Sequence, residues 1–299
     1  MTRRPGSRTR VQVHVVAGDA VRRRADELAT EEPLEIRLVA SGAATVPGAA
    51  SGAATHKTVA VTMRTPGHDF ELAAGFLFTE GIVPSGAAIR RMTYCVDPGV
   101  DAAQQYNIVN VELARSALPD LPALERHFFT SSACGVCGKA SLEAMRMRGS
   151  GPAAPGPAVP AHVLAMLPER LQAAQGIFQA TGGLHAAALF DASGELIALR
   201  EDVGRHNALD KLIGWAVLNG RAPLRDHLVM VSGRASFELL QKTLAAQAPI
   251  FCAVSAPSSL AVQVATEFGM TLIGFLRGGR FNVYAGVERI QTAVGASRV

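Results

Sequence analysis

Residues 227–284 read HLVMVSGRASFELLQKTLAAQAPIFCAVSAPSSLAVQVATEFGMTLIGFLRGGRFNVY. Apolar runs from His227 to Val231, Ile250 to Val254 and Thr271 to Leu276 read as strands. Between them, Ser236 to Gln247 and Ser259 to Phe268 carry helical spacing, and Phe281 to Tyr284 closes the stretch as a further strand. Short apolar strands alternating with helices of about ten residues require right-handed crossovers and a mostly parallel sheet. The fold class is therefore α/β over this part of the chain.

The pattern extends upstream. Ala186 to Asp191 and Glu195 to Glu201 flank Ala192-Ser193-Gly194, a hairpin signal. His206 to Leu218 is a helix with Leu209, Leu212, Ile213 and Ala216 on its apolar side, stopped by Asn219-Gly220. The first half differs. It carries β-like runs at Val11 to Val15, Glu35 to Val39, Thr58 to Met63 and Asn107 to Leu113. One helix lies among them, with Asp69 placed to cap it, Phe70, Ala73, Ala74 and Leu77 at helical spacing, and Gly81 as its stop. The expected organisation is a disordered basic tail over 1–10, a β-rich part over 11–148, a Pro-rich linker over 149–159 and an α/β domain over 160–299. Residues 41–54, rich in alanine and glycine, read as a flexible insertion.

Composition narrows the class. Of 299 residues, 48% are hydrophobic and 18% charged, which places the chain among globular proteins. No apolar run is long enough to span a bilayer, and no apolar segment follows Arg3-Arg4 to make a signal peptide, so a cytoplasmic protein with no membrane role is expected. The net charge of +4 is spread out, and no basic stripe interleaves with aromatics, which argues against nucleic acid.

Ligands of open α/β sheets bind outside the carboxyl ends of the strands. Three successive strand ends here carry Ser232-Gly233-Arg234, then Ser255-Ala256-Pro257-Ser258-Ser259, then Arg277-Gly278-Gly279-Arg280. The first two lead into helices, where Ser232 and Ser258 are placed to cap and backbone N–H groups point at the crevice. Arg234, Arg277 and Arg280 add forked cations suited to phosphate. The alternative is three ordinary turns with solvated arginines. A second polar cluster, Arg200 to Lys211, joins a strand to a helix. There Asp202 or Asn207 can serve as a cap, and His206 stands at the helix start. His185 ends a glycine turn. The roles of His185, His206, Lys211 and Arg234 stay open at this level.

Two of the four cysteines stand three apart in Ser132-Ala133-Cys134-Gly135-Val136-Cys137-Gly138-Lys139. Glycines and small residues predict exposed sulfurs, and Lys139 with a helix start at Ala140 to Met145 favours thiolate. Cys252 sits inside an apolar strand and reads as core, and Cys95 is undecided. Neither supplies a second ligand pair for a structural zinc. A redox dithiol and a sulfur-carrying cysteine both fit the spacing, which alone does not separate them.

Several blocks together resemble a known family. They are Met63-Arg64-Thr65-Pro66-Gly67, Glu71 to Ile82, the cysteine loop, Thr181-Gly182-Gly183-Leu184-His185, Glu201 to Lys211, Val231-Ser232-Gly233-Arg234 and Gly274 to Arg280. In this order they resemble the FdhD/NarQ family of formate dehydrogenase accessory sulfurtransferases. The resemblance implies a cytidine-deaminase-like α/β sheet with crossover helices beside the N-terminal β-rich part. It implies a persulfide on Cys134 assisted by Cys137, with sulfur taken from a cysteine desulfurase. The sulfur is passed to the bis(molybdopterin guanine dinucleotide) form of the molybdenum cofactor, for the formate dehydrogenase apoenzyme. It implies cofactor binding by Phe275, Leu276, Arg277, Gly278, Gly279 and Arg280, and a homodimer. The deaminase zinc signature, His-x-Glu with Pro-Cys-x-x-Cys, is absent, so no zinc or other metal site is expected. The competing readings are a thiol-disulfide oxidoreductase and a non-enzymatic chaperone of the guanine dinucleotide cofactor.

Overall fold

The computed structural model describes residues 6–39, 56–95, 105–114, 145 and 151–292. The insertion at 41–54, Cys134, Cys137, Lys139 and the helix start expected at Ala140 fall outside these residues, whereas Met145 is described and is buried against the larger core.

The α/β expectation is met by a six-stranded sheet, but the sheet is mixed where a mostly parallel one was expected: two of its five pairings are parallel, because hairpins add antiparallel strands on both sides. Its strands are β8 (His185–Phe190), β9 (Leu196–Asp202), β10 (Leu228–Val231), β11 (Ile250–Ala253), β12 (Thr271–Arg277) and β13 (Arg280–Ala285), in spatial order β13-β12-β11-β10-β8-β9. β10, β11 and β12 run parallel. β8 and β13 flank them antiparallel, and β9 pairs antiparallel with β8. β10 and β11 are apolar along their whole length because both faces are covered. On one face lie α4 (Arg205–Leu218), α5 (Phe237–Ala245) and α6 (Ser259–Glu267), burying Leu209, Leu212, Leu240 and Val264 against Val229 and Phe251. On the other lies α2 (Ala161–Ala174), with Leu164, Leu167 and Leu171 against Phe190, Met230 and Ile273.

The N-terminal part makes a four-stranded sheet, ordered β4-β3-β6-β5, from β3 (Glu32–Val39), β4 (His56–Arg64), β5 (Ile89–Tyr94) and β6 (Ile108–Leu113). Leu34, Ile36 and Leu38 alternate inward and are fully buried, while Glu35 and Arg37 pair on the other side at 2.7 Å. Their core is closed by α1 (Asp69–Thr79) through Leu72, Ala73 and Leu77. A separate hairpin of β1 (Arg8–Ala17) and β2 (Ala20–Ala29) precedes this sheet, so Arg8 to Arg10, expected in the tail, begin a strand. Residues 151–158 of the expected linker are tied down, with Ala153 N–H donating to Phe268 O at 2.7 Å and Arg289 donating to the carbonyls of Ala154 and Pro155. Among the described residues no helix is long and apolar enough to cross a membrane.

The two sheets are locked by α1 crossing α4 at glycine. A Cβ on Gly75 would stand 1.8 Å from Asp210 O, and one on Gly214 would stand 1.8 Å from Glu71 O. Only glycine lets the backbones approach this closely, and the obstruction is backbone that a rotamer change cannot relieve. Gly214→Ala is therefore expected to lower unfolding stability by about 3 kcal/mol or more, the upper end of overpacking costs. Urea unfolding checks this. A loss under about 1 kcal/mol would mean that the helices separate at little cost.

Candidate functional site

Topology gathers the distinctive loops at one edge. The carboxyl ends of the parallel strands β10, β11 and β12 lie side by side there. Because β8 runs antiparallel to β10, and β9 antiparallel to β8, the first residue of β8 and the last of β9 reach the same edge. His185 consequently stands opposite Asp202 in register. Backbone hydrogen bonds join the loops into one surface. Ser255 N–H donates to Gly233 O at 3.3 Å, Ser258 N–H to Ala235 O at 2.9 Å, and Phe275 N–H to Ser255 O at 3.1 Å.

The segment 275–280 has an unusual backbone. Phe275 is held at φ 51°, a left-handed conformation that non-glycine residues rarely adopt, where the β12–β13 ladder slips register between Gly274 and Arg277. Such an irregularity re-aims the chain at a strand end. Gly274 allows it, since a Cβ there would be 2.9 Å from Pro257 Cδ and 3.0 Å from the Tyr284 ring. Gly278 and Gly279, at φ 57° and 75°, turn the chain back. Arg277, Gly278, Gly279 and Arg280 are exposed, and the Arg277 guanidinium lies 5.9 Å from the Phe275 ring centroid. Leu276 differs from the rest: its side chain is fully buried in the core under α2, so only its backbone is available to a ligand.

Ser258 caps α6 as expected, accepting a hydrogen bond from Ala261 N–H at 3.2 Å. Ser232 does not cap. Its hydroxyl accepts from Ala186 N–H at 2.9 Å, and α5 starts five residues later, at Phe237 after Ser236. Asp69 does not cap α1 either. His68 holds that position in a left-handed conformation, and the Asp69 carboxylate is buried against Arg64 at 3.1 Å and Tyr94 Oη at 2.9 Å.

Lys211, Asp202 and Asn207 also prove to be framework. Lys211 Nζ lies 2.6 Å from Asp202 Oδ2, and neither side chain is more than 1% exposed. Lys211 donates to Thr65 O at 2.8 Å, Thr65 N–H donates to Asp202 at 3.1 Å, and Asn207 donates to Met63 O at 2.7 Å. Met63-Arg64-Thr65 is thus the N-terminal sheet's anchor on the β9–α4 turn. Inspection of the sequence placed neither end of that link.

What remains at the surface of the edge is cationic. Among the described residues, no ion pair engages Arg205, Arg234, Arg277 or Arg280, and all four flank the strand-end loops. His185 packs beside Gly233. Burial pushes the His185 pKa down, and the neighbouring charges of Arg205 and His206 push it further, against a weaker pull from Asp202. A neutral imidazole beside unpaired guanidiniums and the capped start of α6 make a surface that attracts anions. Sequence reasoning singled out neither Arg205 nor Glu238 of this edge. Their signal was position alone, in the first turns of α4 and α5.

Cys252 is fully buried and its thiol is pushed up to about 12 by that burial, and Cys95 is 3% exposed, so neither is suited to attack. Among the described residues no three His, Cys, Asp or Glu side chains are grouped to hold a metal.

With this geometry in hand, comparison with known proteins is specific. A family model described as the FdhD/NarQ family matches residues 52–291. The chain is 50% identical over 281 residues to the sulfur carrier protein FdhD of Streptomyces coelicolor, covering 92% of this chain and 94% of that one. It is 51% identical over 286 residues to the sulfur carrier protein FdhD of Mycolicibacterium paratuberculosis, covering 95% and 98%. The crystal structure of a candidate formate dehydrogenase accessory protein from Desulfotalea psychrophila superposes with a TM-score of 0.70 at 24% identity, covering 95% of this chain and 99% of that one, and supports the fold.

Proposed function

The chain belongs to the FdhD/NarQ family, and from that membership and the cationic sheet edge we propose that it is a sulfur carrier acting as a sulfurtransferase for formate dehydrogenase. Cys134 accepts sulfur from a cysteine desulfurase: its thiolate attacks the outer sulfur of the donor persulfide, forming a Cys134 persulfide and releasing the desulfurase thiolate. Cys137 assists unloading. Its thiol attacks the inner sulfur of that persulfide, giving a Cys134–Cys137 disulfide and releasing the outer sulfur as sulfide, or it shares the load. The substrate that receives the sulfur is the bis(molybdopterin guanine dinucleotide) molybdenum cofactor destined for the formate dehydrogenase apoenzyme. Its phosphates rest on Arg277 and Arg280 and on the backbone of Phe275 to Gly279. The working unit is a homodimer. Three parallel strands flanked by antiparallel ones accord with a cytidine-deaminase-like sheet, here without the zinc signature of those enzymes.

The observation that carries the reading is the convergence of Arg205, Arg234, Arg277 and Arg280, none of them in an ion pair among the described residues, at the carboxyl ends of β10 to β12. The burial of Cys95 and Cys252 supports it by leaving the sulfur chemistry to the remaining pair. Incubation with a desulfurase and cysteine, followed by intact-mass measurement, tests it. The wild type is expected to gain one sulfur mass per reactive loop, and Cys134→Ala to gain none. A reversible disulfide without a sulfur adduct would favour the oxidoreductase. Absence of any adduct with retained GDP binding would favour the chaperone.

A further inference from the structure

The β1–β2 hairpin takes no part in the proposed sulfur transfer. Its strands pair at ten positions without a bulge, across the two-residue turn Gly18-Asp19, with Gly18 at φ 59°. Among the described residues the two strands form a sheet of their own, with no third strand. A lone two-stranded hairpin is marginally stable in water, and a third strand or a covered apolar face ordinarily fixes it. This hairpin has neither over most of its length. Eight of the ten β1 residues are exposed, and only Val11 and Val13 are partly covered. Four of the nine large apolar side chains exposed among the described residues lie here: Val15, Val16, Val21 and Leu28. The two edges differ. β2 packs against the short helix Gly176–Thr181 and carries the run Arg22-Arg23-Arg24. β1 is the open edge. Between Arg10 and Asp19 it has no proline, no bulge, and no arginine, lysine or carboxylate to turn another strand away.

The sequence of that edge is self-complementary. Ala17 and Ala20 close the turn, so residues 9, 11, 13 and 15 spend their backbone groups on β2, and Arg10, Gln12, His14 and Val16 direct theirs outward. A twofold axis through Val13 sets two β1 strands antiparallel with every outward group paired, Arg10 against Val16 and Gln12 against His14. In the same register Val11 stands opposite Val15, and Val13 opposite its own copy. These are the close, non-hydrogen-bonded positions where β-branched pairs stabilise a sheet. No like charges oppose each other, since Arg10 meets Val16 and Arg8 meets Gly18. An axis one residue either way loses this match. At Gln12 it sets Arg10 against His14 and Thr9 against Val15, and at His14 it sets the two imidazoles against each other. The joined sheet, ordered β2-β1-β1-β2, has four strands, one more than independent stability requires.

We propose that the open β1 edge is the dimer interface, with β1 pairing antiparallel to β1 of a second copy about Val13. The proposal names the contact surface of the homodimer and rests on that reading of the working unit. Each hairpin is rooted next to the cationic sheet edge. A Cβ on Gly183, two residues before His185, would stand 3.8 Å from the Ala29 Cβ at the end of β2. Arg8, paired with Ala29 at that root, is five residues from Val13, so the two roots stand about 34 Å apart along the joined sheet.

Sedimentation and cross-linking of the full chain test this. For the cross-links, Cys134 and Cys137 are changed to serine so that the loop thiols take no part, and Cys95 and Cys252 are buried. Val13→Cys places two sulfurs opposite each other and should give a disulfide-linked dimer under mild oxidation, read by intact mass. Val11→Cys and Val15→Cys should each stay unlinked alone, because the two copies of either residue are four positions, about 14 Å, apart. Mixed together, those two variants should link. Val13→Asp should raise the dimer dissociation constant at least about tenfold, because it sets two carboxylates against each other. Arg24 faces that position across the hairpin, so the hairpin itself is expected to persist, and a thermal melt confirms the fold. A wild type that sediments as a monomer, with no Val13→Cys link, would overturn the proposal together with the homodimer and leave the edge to a strand of another protein. A dimeric wild type whose Val13→Cys variant does not link and whose Val13→Asp variant stays dimeric would overturn this interface alone and leave the homodimer standing.

Discussion

Replacing Arg277 and Arg280 together by alanine is expected to weaken GDP binding on the order of a hundredfold or more. Both side chains are exposed and flank the Gly278-Gly279 turn, so their loss removes charge and leaves the core intact. A hydrogen bond to a charged group contributes roughly 1.5–3 kcal/mol, and each 1.4 kcal/mol is tenfold in affinity. Two such contacts set the lower bound near a hundredfold. Sulfur loading of Cys134 should persist in this variant, while delivery should fail, leaving formate dehydrogenase inactive. The variant separates the two halves of the proposed cycle. GDP affinity by calorimetry, loading by intact mass and client activity are the three readouts. Unchanged GDP affinity with a normally active client would show that the arginines are solvated turn residues.

The left-handed Phe275 bears on the same experiment. Its conformation is held by the hydrogen bond from Phe275 N–H to Ser255 O, next to Gly274, where a side chain would meet Pro257. The Arg277/Arg280 variant leaves that hydrogen bond untouched and removes only the Arg277 guanidinium from beside the Phe275 ring.

What the sequence disclosed followed from periodicity. β10 and β11 are short and wholly apolar, β12 is apolar between Thr271 and Arg277, and helices separate them, so their identity and parallel order were readable in residues 227–284. The placement of the strand-end loops at one edge then followed from topology. β2 was not readable. Its run Arg22-Arg23-Arg24-Ala25-Asp26-Glu27 has no apolar alternation, because both faces of the β1–β2 hairpin are largely exposed there. α2 escaped for a different reason: Pro168 interrupts its helical pattern, and it follows directly on a Pro-rich stretch. Asp69 and Asp202 were read as candidate caps, and the role of Lys211 stayed open, because their partners are distant in sequence. Lys211 bonds the carbonyl of Thr65, and Asp69 meets Tyr94, pairings that no local spacing announces.

The same long-range wiring supports the second large effect. Lys211→Met is expected to destabilise the fold by about 3–5 kcal/mol, because it leaves Asp202 as an unpaired charge in the interior. Lys211 Nζ and Asp202 Oδ2 stand 2.6 Å apart with side chains 1% and 0% exposed. Water has no access to compensate either group once the other is gone. The link is also mechanical. Asp202 ends β9, Lys211 lies on α4, and both bond Thr65 between β4 and α1, so the pair joins the six-stranded sheet to the N-terminal sheet. Asp202→Asn combined with Lys211→Met removes both charges, and the single amide oxygen of Asn still accepts from one of the two backbone N–H groups, Thr65 or Gly204, that Asp202 serves. The double variant should therefore recover at least about 1 kcal/mol relative to Lys211→Met alone. Urea unfolding of the single and double variants measures this coupling directly. Additive losses would mean that the two charges are solvated independently and that the pair does not tie the sheets together.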